Sequence, residues 1–230
     1  YYASRGLGDV YKRQVLTLIN PDNPSGNYIR REDVLKLSEW CEKKNIRFVV
    51  DESFVDFVDE EETTTLLDAG ILKANPNLIV VKSISKSYGV PGLRLGVLAS
   101  SDEELIAEMK KDVAIWNINS FAEFYLQIYE KYAKDYAKAI EKFKQTRAAY
   151  IKDLQALSGL RVLPTQANYV LCEVTSGVTS RKLAEDLLEE NILIKDLSTK
   201  KGFDGKNYIR LAVRDEKDNA ILVEALKRYL

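Results

Sequence analysis

The chain places one lysine, Lys86, just beyond an apolar run over residues 78–81. Three serines flank it and an arginine follows it eight positions later: Ser83, Ser85, Ser87 and Arg94. Lysine is seldom buried, because removing an ammonium group from water is costly. The same desolvation makes the amine nucleophilic enough to form a Schiff base with a carbonyl compound. The segment therefore permits two interpretations, a nucleophilic lysine in a site or a lysine that extends from a strand end into water.

Polar side chains follow three apolar runs that predict buried strands, at residues 15–19, 47–51 and 78–81. The segment between the first two runs predicts a helix, with acidic residues in its first turn and one apolar stripe: Val34, Leu37, Trp40 and Cys41. Asn45 can end that helix. A strand, helix, strand order predicts parallel strands, whose carboxyl ends meet at one edge of the sheet. We therefore expect Asn23, Asp51 and Lys86 to converge there and to form a site.

Composition excludes several classes of function. The net charge is -1, from 34 basic and 35 acidic residues that are interleaved along the chain, which gives no footprint for nucleic acid or an anionic membrane. The chain has no histidine, which removes Ser-His-Asp and Cys-His systems and histidine metal sites. Cys41 and Cys172 match no metal-ligand spacing, so we expect no metal. We expect a small-molecule partner and a reducing, cytoplasmic setting.

Residues 1–14 form a polar segment with no helical or strand period, and they resemble the read-through of a sequencing adaptor. The only methionine is Met109, so the sequence has no initiator. We interpret residues 1–14 as a non-native or disordered leader and exclude them from the fold.

The second half of the chain begins with long helical structure. Apolar residues recur at helical spacing over residues 120–157, with a break expected near Asp135; a coiled coil is the alternative to a helix between two domains. Beyond Gly159 the pattern predicts strands at residues 161–163, 167–174, 192–194 and 208–213, and helices at 181–190 and from about 216 to the end. We predict a large domain over residues 15–140 and a small α/β domain over residues 141–230.

Four motifs in order carry a resemblance to a known family: Asn23-Pro24-Ser25-Gly26, Asp51-Glu52-Ser53-Phe54, Ser83-x-Ser85-Lys86 and Gly92-Leu93-Arg94. Together they resemble the class I/II pyridoxal-phosphate aminotransferases of fold type I. The resemblance is greatest to the branch of histidinol-phosphate aminotransferase and threonine-phosphate decarboxylase. It implies an α/β fold, with part of a large domain whose mainly parallel sheet has helices on both faces, joined by long helical structure to a small C-terminal α/β domain.

The resemblance implies a role for each matching residue. Lys86 would carry pyridoxal 5'-phosphate as a Schiff base and move a proton during catalysis. Asp51 would pair with the pyridine nitrogen, and Asn23 would donate to the phenolate oxygen of the cofactor. The cofactor phosphate would be held by three residues: Ser83, Ser85 and Arg94.

Phe54 departs from the tyrosine that many aminotransferases carry at this position, which removes one hydroxyl contact worth about 1 kcal/mol. Phe54 and the motif Trp116-x-x-Asn119 look more like the threonine-phosphate decarboxylase side of the branch. Arg210 matches the arginine that binds the substrate carboxylate, with a surface arginine as the alternative. Asn168 and Asn119 are further candidates for the substrate pocket.

Three hypotheses follow. The first is an aminotransferase that acts on an amino acid or amino-phosphate and a 2-oxo acid, and the second is a decarboxylase of a phosphorylated amino acid. The third is a catalytically incomplete α/β module that only binds phosphate. Because the resemblance begins in the middle of the family's large domain, we expect an N-terminally truncated fragment of a homodimeric parent. We expect the isolated chain to be inactive and to bind the cofactor weakly or not at all, since a half-built pocket leaves the ring in water.

Overall fold

A computed structural model describes residues 14–60, 64–203 and 205–230. Residues 1–13 of the predicted leader lie outside the described residues. The helices have these bounds: α1 Arg31–Lys43, α2 Ala69–Ala74, α3 Ile84–Ser87, α4 Glu103–Asp112, α5 Ser120–Ile128, α6 Ala133–Gln155, α7 Ser180–Glu189 and α8 Glu216–Tyr229. The strands are β1 Val15–Ile19, β2 Arg47–Asp51, β3 Leu78–Ser83, β4 Gly96–Ala99, β5 Leu160–Val162, β6 Tyr169–Val174, β7 Lys195–Asp196 and β8 Tyr208–Ala212.

The first sheet has the strand order β1-β2-β3-β4. β1, β2 and β3 are parallel, as their sequence predicts, whereas β4 runs antiparallel to β3. Ile19 pairs with Asp51 and Asp51 pairs with Val81, so the three carboxyl ends lie at one edge of the sheet. The expected convergence of polar groups there therefore has a structural basis.

Helix α1 packs on this sheet through Val34 and Cys41, which are fully buried with Phe48 and Val50 of β2. The predicted stripe is wrong at Trp40, which is 49% exposed. Asn45 follows the helix with a φ of 56°, a left-handed conformation that asparagine adopts more easily than most residues, so the predicted helix end is confirmed.

The second sheet is antiparallel, with the order β5-β6-β8-β7. Its core includes buried residues of β6, β8, α7 and α8 together with Tyr150 and Leu154 of α6. The predicted helical region is confirmed, and its break is a 3-10 turn at Tyr129–Tyr132, just before Asp135. The boundary between residues 140 and 141 stays a prediction, and it lies inside α6.

The strand predicted at residues 192–194 is wrong, because the observed strand is Lys195–Asp196. The chain leaves α7 through Asn191, which has a φ of 61°, and the Ile192 amide donates to the Leu187 carbonyl. These residues therefore complete the end of the helix rather than pair in the sheet. Leu193 is 84% exposed, so the apolar run that suggested a strand does not face the core.

The loop after β1 packs closely against the second half of the chain. Gly26 has a φ of 73°, and a Cβ at this position would lie 2.7 Å from the Cβ of Thr165. The Gly26 carbonyl also accepts a hydrogen bond from the Gln166 amide. Glycine is required here both by the left-handed backbone and by the close approach. In the described part of the chain, no helix is long and apolar enough to cross a membrane.

Candidate active site

Lys86 lies in α3, a single helical turn that follows β3 directly. The strand end is held to its neighbour because the Ser83 amide donates to the Ser53 hydroxyl at 3.0 Å. Lys86 is therefore presented by a short helix rather than by the strand itself. Its Nζ lies 5.7 Å from the centroid of the Phe54 ring, and the ring face attracts the ammonium group.

Lys86 lines a cavity of about 740 Å³ between the two sheets' loops. Five predicted site residues line this cavity: Asn23, Phe54, Lys86, Asn168 and Arg210. They come from positions up to 187 residues apart, because Asn23 follows β1 and Arg210 lies in β8. Residues from both halves of the chain therefore line the cavity.

Arg210 is fixed within this cavity on two sides. Its Nη1 donates to Asn23 Oδ1 at 2.7 Å, and its guanidinium carbon lies 5.0 Å from the centroid of the Tyr169 ring. Asn23 therefore accepts from Arg210 through its oxygen, and its amide nitrogen is the donor that it can offer to an acceptor in the cavity.

Asp51 lies at the end of β2 in a neighbouring cleft of about 470 Å³. Its Oδ1 accepts hydrogen bonds from the Ser53 amide at 2.9 Å and from the Ser53 hydroxyl at 2.5 Å. The same cleft is lined by three other predicted residues: Ser83, Ser85 and Arg94. The predicted site is thus divided in two. The cavity contains the Lys86 amine, the Asn23 amide and Arg210, and the cleft contains the Asp51 carboxylate, the serine hydroxyls and Arg94.

Two of the predicted phosphate-binding residues are already engaged. Ser85 is buried, and its hydroxyl accepts from the Leu95 amide at 3.3 Å and lies 3.4 Å from the Leu95 carbonyl. Arg94 has a φ of 56° and its Nη1 donates to the Pro91 carbonyl at 3.3 Å. The left-handed backbone at Arg94 turns the loop back toward Asp51 and Ser83, which line the same cleft.

Asn119 is not brought to either cavity. Its Oδ1 accepts from the Ala122 amide at 2.9 Å, which caps α5, and its Nδ2 donates to the Leu93 carbonyl at 2.9 Å. A helix-capping asparagine that also holds the loop before Arg94 has both side-chain groups in use. The structure therefore gives Asn119 a capping position and no place in the cavity proposed for substrate.

Sequence reasoning missed three ionisable residues of the cavity, Tyr169, Lys195 and Asp196. Burial raises the pKa of Tyr169, and the Arg210 charge opposes this while the charges of Asp22 and Asp51 add to it. Tyr169 follows Asn168 directly, which was the available signal. Lys195 escaped notice because the strand that carries it was predicted three residues too early.

Burial acts to raise the pKa of the Asp196 carboxyl, but the hydrogen bonds that it accepts, chiefly from Ser198, lower the pKa by more. The net pKa is therefore below its ordinary value. Asp196 Oδ2 accepts from the Ser198 hydroxyl at 2.6 Å. Asp196 is thus an anion beside two cavity cations, Lys195 and Arg210. Across the described ranges, no three histidine, cysteine, aspartate or glutamate side chains form a group that could hold a metal ion.

The family described as aminotransferase class I and II matches residues 4–226 of the chain. L-serine phosphate decarboxylase of Sulfurospirillum multivorans is 34% identical over 94% of the chain, and threonine-phosphate decarboxylase of Salmonella typhimurium is 32% identical over 94%. The matches cover 55% and 57% of these relatives, so the chain spans a little over half of their length. The crystal structure of histidinol-phosphate aminotransferase from Clostridium acetobutylicum aligns with a TM-score of 0.85 and 28% identity, over 94% of this chain and 64% of that one.

Proposed function

The chain belongs to the aminotransferase class I and II family, and on that basis we propose that it carries the reactive lysine of a pyridoxal-phosphate-dependent aminotransferase. Its fold is that of fold type I enzymes over about 60% of their length, and enzymes of this family use pyridoxal phosphate. The proposed reaction moves an amino group between an amino acid or amino-phosphate and a 2-oxo acid. The observation that carries the proposal is the cavity in which Lys86, Asn23 and Arg210 meet.

The residues present fit the cofactor's chemistry. Its aldehyde requires an amine, which Lys86 provides, and its ring nitrogen requires an anion, which Asp51 provides. Asn23 uses its oxygen for Arg210 and so has its amide hydrogens for an oxygen acceptor. Ser83 and Arg94 would hold the phosphate, with Ser85 supporting the Leu95 backbone behind them. When bound, the cofactor supplies an electron sink for the bonds at the substrate α-carbon.

The chain's own groups then have distinct tasks. Lys86 Nζ accepts a proton from the substrate α-carbon and returns it, since no histidine is available to do so. The Phe54 ring, whose centroid lies 5.7 Å from Lys86 Nζ, borders the amine in the cavity. Ser53 holds Asp51 Oδ1 with two hydrogen bonds, which keeps the carboxylate oriented.

A second observation supports a substrate with an anionic group. Lys195 in β7 and Arg210 in β8 are direct cross-strand partners, and both line the cavity. Like charges directly opposite each other destabilise a sheet, and a substrate anion would add to Asp196 in offsetting the repulsion.

Decarboxylation is the second candidate, and the two similar phosphate-ester decarboxylases favour it. The choice depends on which anion Arg210 binds. A carboxylate paired with Arg210 would lose that ion pair on leaving as carbon dioxide, so such pairing opposes decarboxylation and favours transamination. If Arg210 binds the phosphate instead, the carboxylate is left without the guanidinium and its loss becomes easier.

Borohydride reduction in the presence of excess pyridoxal phosphate tests the lysine assignment. We expect a reduced pyridoxyl group on Lys86, found by peptide mass spectrometry, and its loss in Lys86→Arg but not in the matched variant Lys195→Arg. The binding-only alternative is favoured if phosphate binds while no label is trapped on Lys86. Equal labelling of many surface lysines would contradict the proposal.

A product assay separates the two reactions, with the enzyme in its complete form and O-phosphoserine or O-phosphothreonine as substrate. Transamination requires a 2-oxo acid acceptor and yields a 2-oxo acid, whereas decarboxylation releases carbon dioxide without an acceptor. Release of carbon dioxide alone would reject the aminotransferase proposal and leave the decarboxylase one.

A further inference from the structure

Tyr169 lines the same cavity as the two cations that the proposed function uses, Lys86 and Arg210, and it belongs to neither of the motifs that carry them. We propose that Tyr169 is a positioning residue, which holds the Arg210 guanidinium toward the cavity through its ring and through a hydroxyl contact with the loop after β1. The inference rests on the proposed function in one respect, that Arg210 is the group that binds a substrate anion.

The hydroxyl contact joins two distant parts of the chain. Tyr169 Oη donates to the Asp22 carbonyl at 2.7 Å, over a separation of 147 positions, and the residue is 4% exposed. The same carbonyl accepts from the Gly26 amide at 2.8 Å, and Asp22 Oδ2 accepts from the Ser25 hydroxyl at 2.5 Å. The phenol is therefore attached to a turn with several internal hydrogen bonds.

That turn also carries Asn23, whose Oδ1 accepts from Arg210. The guanidinium is consequently bounded by the Tyr169 ring on one side and by the Asn23 amide on another, and the two are linked through Asp22. An arginine has four rotatable side-chain bonds, and binding an anion costs less when these are ordered beforehand. The arrangement pre-orders Arg210.

A second ring continues the arrangement toward the lysine. The planes of the Phe54 and Tyr169 rings meet at 84°, with the ring centroids 5.2 Å apart, and Lys86 Nζ lies 5.7 Å from the Phe54 centroid. Each cation thus has its own aromatic ring, and the two rings lie in contact between them.

A purely structural role makes a different prediction. Tyr169 belongs to a small buried cluster with Phe54, Phe57 and Ala167, so its ring would be needed for packing in any case. Packing alone is satisfied by phenylalanine, which keeps the ring and removes the hydroxyl. The positioning role requires the hydroxyl, because only that group attaches the ring to the turn that carries Asn23.

The test compares the unmodified chain with Tyr169→Phe and Tyr169→Leu. Tyr208→Phe is the matched control, since Tyr208 also lies in the second sheet, accepts a hydrogen bond from Arg161 at 3.1 Å and does not line the cavity. The first measurement is the Arg210 Nε–H signal in nitrogen-15 NMR, with its order parameter and its exchange with water. The second is the dissociation constant for inorganic phosphate, read from the change in the same Arg210 signal so that phosphate bound at Ser83 and Arg94 is not counted.

We expect Tyr169→Phe to lower the order of Arg210 and to weaken phosphate binding by about 2- to 12-fold, the range of one hydrogen bond. Tyr169→Leu should lower the order of Arg210 and the affinity for phosphate further. Tyr208→Phe should change neither of these two quantities. An Arg210 signal that is unchanged in Tyr169→Phe overturns the proposal, whatever happens in the leucine variant. If Arg210 loses order in Tyr169→Phe but the unmodified chain binds no phosphate, the positioning role is supported and the proposed anion-binding function of Arg210 fails.

Discussion

Arg147 connects α6 to loops from both halves of the chain, and its replacement is the sharpest test of how the halves are held together. The side chain is 1% exposed, Nη1 donates to the Ala167 carbonyl at 2.8 Å, and Nη2 lies 2.7 Å from Asp59 Oδ1. Asp59 itself is about half exposed, at 52%. Burial lowers the pKa of Arg147, and the Asp59 charge counteracts this. The pair is therefore asymmetric, with one buried and one hydrated member.

The asymmetry determines the expected magnitudes. Arg147→Met leaves the Ala167 carbonyl without its donor and returns Asp59 to water, which should lower the free energy of unfolding by about 2 kcal/mol. Asp59→Ala leaves a buried guanidinium without its anion. Removing one partner of a fully buried pair costs about 3–5 kcal/mol, and exposure of Asp59 reduces this to about 2 kcal/mol. In the Arg147→Met background, Asp59→Ala should cost about 0 kcal/mol, because no buried charge remains.

Urea unfolding followed by circular dichroism gives the four free energies of this double-mutant cycle. The expected signature is a coupling of about 2 kcal/mol between Arg147 and Asp59. If Asp59→Ala costs the same in both backgrounds, the two residues do not interact and the reasoning is refuted. A neutral Arg147→Met variant would show that the hydrogen bond to the Ala167 carbonyl adds nothing.

Three further changes have expected outcomes in the same urea assay. Gly26→Ala should lower the free energy of unfolding by about 3 kcal/mol or more, because the added Cβ meets Thr165. Gly89 has a φ of 65° and open space around it, so Gly89→Ala should cost only the left-handed strain of about 1–2 kcal/mol. Equal costs for the two variants would mean that no clash occurs at Gly26. Burial raises the pKa of Glu52, so the folded state releases the proton at higher pH than the unfolded state and loses stability as the pH rises from about 4. The free energy of unfolding of Glu52→Gln, relative to that of the parent, should therefore be more favourable at pH 7 than at about pH 4. A difference between the two proteins that is independent of pH would contradict this. Lys82→Met should cost about 3 kcal/mol of unfolding free energy, because the Lys82 ammonium lies 2.6 Å from Asp56 Oδ1 and both side chains are mostly buried. Adding Asp56→Leu should restore most of the loss, since it removes the unpaired carboxylate. If the second change restores nothing, the loss in Lys82→Met does not come from breaking this ion pair.

Much of the first half could be predicted because its signals are local. Each strand of the parallel sheet is a short apolar run, and the residue types at the ends of the runs suggest Asp51 and Lys86 as candidates, although the segment around Lys86 alone permits two interpretations. The helix end at Asn45 could be predicted for the same reason. The strand that carries Lys195 could not, because the apolar residues before it form the end of a helix, and apolar runs alone do not distinguish the two.

The candidate site shows the same limit at the level of single side chains. Residue type suggests that Ser85 and Asn119 are free polar groups, but both are used by backbone atoms nearby in space: Ser85 by Leu95, and Asn119 by Leu93 and Ala122. Such hydrogen bonds depend on where the loops pass. A sequence pattern gives the inventory of donors and acceptors and not their partners.

The amino-acid sequence by itself determined which groups are available for chemistry: one lysine beyond a strand, a carboxylate, an asparagine, two arginines, and no histidine. Only the tertiary structure decided how they are combined, with Asp51 in one cleft and Lys86 in a cavity that it shares with Arg210. It also decided that the Tyr169 ring packs against the Arg210 guanidinium and that its hydroxyl donates to the Asp22 carbonyl. The physical reason is separation along the chain: strand and helix patterns act over a few residues, whereas these contacts cross almost the whole chain and exist only once both sheets have packed.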